Sequence, residues 1–221
     1  MRGRIKPFLG RLRRARSGVA AVEFALFLPI AIPLFVGGAE LTNYAITKMR
    51  MSQLALHVAD NASRIGTDQL LSDPRITEMQ INDLLIGANL QAGSLDLQGK
   101  GRVILSSVEP MITPTNTGNR YRIRWQRCYG TKTWTSTYGA QGATNLTGVG
   151  PSDRKITVPD GSGVMFVEIA YTYTPLVTSA WVPATDIRET AAMVVRDDRD
   201  YTGNGGIGVY NAEAVVASTC T

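Results

Sequence analysis

The chain has 221 residues, 23 of them basic and 18 acidic for a formal net charge of +5, with two cysteines and one histidine, a length that allows one domain with a core of its own. Seven of the basic residues and none of the acids fall in the first eighteen positions, so residues 19–221 carry a formal charge of −2. The basicity belongs to the leader, and no nucleic acid is expected as a partner.

After the leader "MRGRIKPFLGRLRRARSG" (1–18), the stretch from Val19 to Gly38 is apolar except for Glu23. Twenty residues at about 1.5 Å each span roughly 30 Å, the thickness of a bilayer's hydrocarbon core. A secretory signal has a shorter apolar region, about 7–15 residues, closed by a small-residue cleavage site. The basic leader predicts a cytoplasmic N-terminus and an exported remainder. Helical spacing then continues through "AELTNYAITKMRMSQLALHVADNASRIG", with neither Pro nor internal Gly before Gly66, so the helix is expected to leave the membrane and run on over 39–66.

A carboxylate inside an apolar helix costs roughly 3 kcal/mol unless it is answered. Glu23 is therefore either near enough to the cytoplasmic headgroups to be solvated or protonated, or paired with a cation. Pro29 and Pro33 each remove a backbone hydrogen bond. They read as a simple kink, or as a segment able to bend or locally melt when the helix changes surroundings.

Residues 67–221 read as an exported domain. "LLSDPRITEMQINDLLIGANL" (70–90) predicts a second helix with Asp73 as N-cap, Pro74 at its first position and an apolar face through Ile81, Leu84, Leu85 and Ala88. Beyond Gly93 the period becomes two, predicting strands at 102–109, 120–129, 163–175 and 188–197. Alternation in the second sets Tyr121, Ile123 and Trp125 against Arg122, Arg124 and Gln126, as in a sheet with one buried face. Segment 133–153 reads as a long flexible loop. The fold class is α+β: a long transmembrane helix, a second helix, then an antiparallel sheet.

Cys128 and Cys220 both fall on the exported side, where an even count points to one disulfide closing a loop of about 90 residues, worth about 4 kcal/mol. Two free buried thiols are the other reading. No cofactor or structural metal is expected, since two Cys and one His fall short of a closed zinc site. His57, among Leu54, Leu56 and Val58, reads as a helix-face or core residue without catalytic partners. "GNGGIG" (203–208) lacks the strand before it and helix after it that a dinucleotide fold needs, and reads as a glycine turn. In "RDDRDYTGNGG" (196–206), Asp198, Asp200 and Thr202 take the first, third and fifth places of a calcium loop. Val209 stands where its bidentate Glu belongs, and the plain reading is a solvated acidic turn.

A basic leader ending in Gly18, followed by an apolar helix with Glu23 at its fifth position and the aromatic Phe24 at its sixth, resembles the class III signal of type IV pilins and pseudopilins. "RRARSGVAAVEFALFLPI" is more closely similar to the start of TadE-like proteins, minor pseudopilins of the tight adherence (Flp) type IVb pilus. "VEIAYTYTPL" (167–176) and "RETAAMVVRDD" (188–198) resemble that family more loosely, and 91–163 does not. The resemblance implies cleavage by a prepilin peptidase between Gly18 and Val19, and a Glu23 carboxylate that compensates the new Val19 ammonium of a neighbouring subunit. It further implies a pilin-like fold in which the exposed half of the helix packs on the sheet. The implied location is the bacterial inner membrane, single-pass with a cytoplasmic N-terminus, and then possession of a place in a cell-surface pilus. Implied partners are the peptidase, other pilins and pseudopilins, the assembly platform and the lipid bilayer. The exported part is longer than in the simplest members, and 133–153 is an insertion whose role the family does not supply.

Two functions follow. One is a non-enzymatic structural subunit that initiates or tips the pilus. The other is an uncut single-pass protein whose exported domain binds a ligand through 133–153.

Overall fold

The computed structural model describes residues 17–69, 72–177, 185–196 and 199–220. The leader through residue 16 and Asp198 lie outside these.

One helix, α1, runs from Ser17–Arg64 without interruption, about 72 Å at 1.5 Å per residue. Its C-terminal carbonyls are capped by a cation from far along the chain: the buried Arg199 guanidinium donates to Ser63 O at 3.3 Å and Ile65 O at 2.5 Å. A short antiparallel hairpin follows, β1 Thr67–Gln69 with β2 Ser72–Arg75. The second helix, α2, spans Glu78–Ala92.

Helix α2 starts later than Asp73 and Pro74 suggest, because both lie in β2 and the true cap is Thr77. Thr77 Oγ1 accepts from Gln80 N at 3.3 Å while Thr77 N donates to Gln80 Oε1 at 3.1 Å, a reciprocal capping box. Extended backbone is enforced up to this point by Tyr210, which exchanges 2.8 Å hydrogen bonds with Ile76 and Glu78.

Four antiparallel strands form the sheet: β3 Gly101–Pro110, β4 Tyr121–Tyr129, β5 Val164–Thr172 and β6 Asp186–Val194, in the order β4-β3-β5-β6. The architecture is the α+β arrangement expected. On α1, Met51, Leu54, Ala55, Val58, Ala59 and Ala62 recur at helical spacing and are buried. They pack with Ile81 and Leu85 of α2 against Leu105, Trp125, Val167, Ile169 and Ile187 of the sheet.

The opposite face is buried too, which differs from the one-faced sheet read from alternation. A bulge in β4 pairs Ser107 with Trp125 but Val108 with Ile123, leaving Arg124 as the extra residue. Trp125 therefore turns toward the helices, whereas Tyr121 and Ile123 join Val108, Val164 and Phe166 in a second core. The cover of that core is segment 133–158, which is packed rather than a flexible loop. Tyr138, Leu146, Val149 and Val158 contribute side chains. Its backbone also pairs with the outer edge of β4: Tyr121 and Leu146 exchange hydrogen bonds of 2.8 and 3.0 Å, and Ile123 bonds Ala143 and Gly142 at 2.9 and 2.8 Å. Gly148 permits the tight return at φ 135°, where a Cβ would meet Ile156 O at 2.8 Å.

Candidate functional site

The first turns of α1 carry Gly18, Val19, Glu23 and Phe24, all exposed. Val19, Val22, Phe24, Leu26, Phe27, Ile30, Leu34 and Phe35 also stand free of the domain, a contiguous apolar surface that water does not tolerate on a lone soluble protein. This helix is long and apolar enough to cross a membrane. Among the described residues Glu23 has no hydrogen-bond or ion-pair partner. Val19 lies four positions before it, about 6 Å along the axis. The helix continues through Pro29 and Pro33, whose missing N–H groups leave the carbonyls of Ala25 and Pro29 without intrahelical donors. Around Gly18, Gly37 and Gly38 a Cβ would meet open space.

Just past the apolar stretch the helix is locked to the domain. Glu40 is buried, and its carboxylate accepts from Tyr173 Oη at 2.5 Å and from Leu176 N at 2.9 Å. Asn43 Nδ2 donates to the same tyrosine oxygen at 2.8 Å, and Tyr44 meets the Tyr173 ring edge-on at 5.2 Å. Glu40 and Asn43 carry no local cue in the sequence, whereas Tyr44 belongs to the apolar helical spacing and Tyr173 to the segment 167–176 that resembles the family. The available signal is the spacing of Glu40, Tyr44, Thr47 and Met51, which extends the buried stripe of α1 one turn at a time back toward the apolar stretch.

On the β4 edge of the sheet, Cys128 and Cys220 form a disulfide across a sequence separation of 92 residues. Cys128 N donates to Ser218 O at 2.7 Å and Gln126 N to Gln141 Oε1 at 3.1 Å, which completes the cover of the β4 edge. In the glycine turn, Asp200 Oδ1 accepts from Thr202 N at 2.9 Å and Gly203 N at 2.8 Å, and Oδ2 accepts from Tyr210 Oη at 2.5 Å. The tyrosine hydroxyl holds that carboxyl below the usual range. Asp200 thus organises its own turn with Thr202; among the described residues no three His, Cys, Asp or Glu side chains gather as metal ligands. His57 is exposed on α1 and lines a cleft against the end of α2 with Arg50 and Gln91.

Residues 18–66 match the family model of TadE-like proteins. The matched segment begins at Gly18 and ends just beyond the last residue of α1. No curated protein and no solved structure matches the chain.

Proposed function

We infer that this chain, TadE-like over residues 18–66, is a pseudopilin of a tight adherence pilus, a structural subunit cut after Gly18 by a prepilin peptidase. The observation that carries the reading is that this match coincides with a helix whose first half is bare and apolar and bears Glu23 one turn from Val19. In this reading residues 1–18 are a cytoplasmic leader that is removed, 19–38 span the inner membrane once, 39–66 continue the helix, and 67–221 are exported.

Cutting after Gly18 creates an ammonium at Val19. Opposite charges in a low-dielectric phase attract far more strongly than in water, and leaving one of them alone costs several kcal/mol. A Glu23 from one subunit set against a Val19 ammonium from the next answers both and fixes their axial offset. The bare surface from Val19 to Phe35 is then covered first by lipid and afterwards by the helices of other pilins and pseudopilins, with the assembly platform moving the subunit between the two.

The test is the intact mass and N-terminal sequence of the protein from cells holding its own peptidase. A mature chain beginning at Val19 supports the reading; a chain still carrying Met1 overturns it and leaves an uncut anchored domain. Gly18→Val is expected to abolish processing. Glu23→Ala is expected to be cut normally yet to lower pilus formation, so normal piliation by Glu23→Ala contradicts the charge-pair role.

A further inference from the structure

Residues 131–138 cross the outer face of the sheet as an extended strap in which Lys132, Trp134, Ser136 and Tyr138 are half-buried and the threonines between them exposed, the alternation of a chain lying on a pleated surface. The strap is fastened at both ends. Ser136 Oγ and Thr137 N donate to the buried Glu168 carboxylate at 2.5 and 3.3 Å, and Tyr138 meets Phe166 edge-on at 5.5 Å. At the other end Thr131 N and Oγ1 donate to Gln98 O at 2.8 and 3.1 Å. Between them it spans a cavity of about 280 Å³ walled by Arg102, Gln126, Lys132, Trp134 and Thr135, with the disulfide at Cys220 closing one side.

The charges of this cavity are engaged inside the protein. Arg102 Nη1 donates to Gly130 O at 2.9 Å, and Lys132 Nζ donates to Thr172 Oγ1 at 2.6 Å and Asp186 Oδ1 at 2.9 Å. The Arg188 guanidinium lies 5.9 Å over the Trp134 ring. Beside them the wall offers neutral polar groups. Gln126, only 4% exposed, gives its amide hydrogens to Ser106 Oγ at 3.0 Å and Gly139 O at 2.9 Å. Because the Gly139 carbonyl can only accept, the amide orientation is fixed. Its Oε1 is left with no protein partner among the described residues, and Thr133 and Thr135 stand at the exposed rim.

An aromatic ring beside neutral acceptors and hydroxyls, in a space of one-ring size, suits a ligand with an apolar C–H face and a polar rim of hydroxyls. A cationic ligand would meet Arg102 and Lys132 in the wall and be desolvated without return. We propose that this cavity binds one neutral hexopyranose unit of a glycan, with Trp134 as the platform for the sugar ring and Gln126 Oε1 as the acceptor of a sugar hydroxyl.

The full chain, held in a detergent without a sugar headgroup, is titrated with methyl glucoside, methyl galactoside, methyl mannoside and N-acetylglucosamine, and binding is read by saturation-transfer NMR and calorimetry. Saturable binding of at least one sugar is expected near about 1 mM, the scale for a single small polar ring. Trp134→Ala and Gln126→Leu are each expected to weaken it about 10-fold or more, while Trp134→Tyr retains it. Preference for N-acetylglucosamine supports a cell-wall glycan as the source of the unit, and preference for the plain hexosides supports a surface polysaccharide. Saturation by none of the four sugars overturns the proposal, as does binding that all three variants leave unchanged. Near-UV circular dichroism reports whether the variants fold. Should Trp134→Ala fail there, Thr135→Val at the exposed rim is expected to weaken binding without altering the spectrum, and an unchanged affinity in that variant and in Gln126→Leu is equally fatal.

Discussion

Burying an ionised carboxylate costs several kcal/mol unless a cation or a set of donors answers it, and the glutamates buried here are answered differently. Glu78 faces Arg127 in a buried two-pronged pair. Removing one partner is expected to cost about 3–5 kcal/mol and replacing both with methionine much less, so chemical denaturation of Glu78→Met, Arg127→Met and the double variant should show the double recovering most of the single losses. Glu109 is met by Arg124 at 2.5 Å, yet burial still pushes its carboxyl above the usual range. Among the described residues Glu168 has only the Ser136 hydroxyl and Thr137 N–H, and burial likewise raises it. A carboxyl raised by folding favours the protonated native state. Its contribution is greatest below the unfolded value of about 4.3 and is lost as the pH climbs through the raised folded one. The stability of Glu168→Gln relative to the parent should therefore increase as the pH rises from 4 toward neutrality in thermal melts; Glu109 is common to both and cancels. A gap that stays constant refutes the assignment. None of these partnerships was legible in the sequence. Glu78 reads as an ordinary helix acid, and Arg127, which falls on the side of Tyr121, Ile123 and Trp125 and so breaks the alternation, carries no cue to its partner. Their separation of 49 positions gives no local cue.

At the scale of elements, period was the reliable signal and competition between signals the main source of error. Helix α1 was readable because its stripe of Met51, Leu54, Ala55, Val58 and Ala62 is unbroken. The start of α2 was misplaced because Asp73-Pro74 is a stronger local cap signal than Thr77 with Gln80, until a hairpin and Tyr210 claim the first pair. The bulge at Arg124 had no signature at all: it moves Trp125 to the helix side without changing the alternation before it. The strap has a local signal, since Lys132, Trp134, Ser136 and Tyr138 alternate with threonines across seven residues, whereas the glycines that follow point to a loop. A second stripe on α1, Leu41, Ala45, Met49 and Leu56, is exposed beyond the apolar stretch and lies away from the sheet. Leu41→Asp and Leu56→Asp are expected to leave the melting temperature within about 2 °C of the parent, as surface changes do, yet to reduce recovery in pilus fractions. Normal recovery would mean that this stripe contacts no neighbouring subunit.

For the whole molecule, two helices cover one face of the sheet, an irregular segment covers the other, and the C-terminal tail closes the exposed strand edge. A disulfide spanning 92 residues restricts the unfolded chain by about 4–5 kcal/mol. Cys128→Ser with Cys220→Ser should lower stability by that order and speed amide exchange at Cys128, whose N–H is held by Ser218; unchanged exchange would show the tail staying docked without its covalent tie. The layered plan was legible from element order, but the filled second face was not, because its core is assembled from single residues scattered over 138–158 and three strands. The same helix carries the apolar stretch and the central core stripe, with no linker between the two. A pull along α1 is consequently delivered to the Glu40 lock and the whole buried stripe in shear, where all contacts must yield together, and not by peeling them one at a time. Pro29, Pro33, Gly37 and Gly38 all precede the lock at Glu40, so the helix has its fewest backbone hydrogen bonds and its least side-chain cover just before it joins the domain.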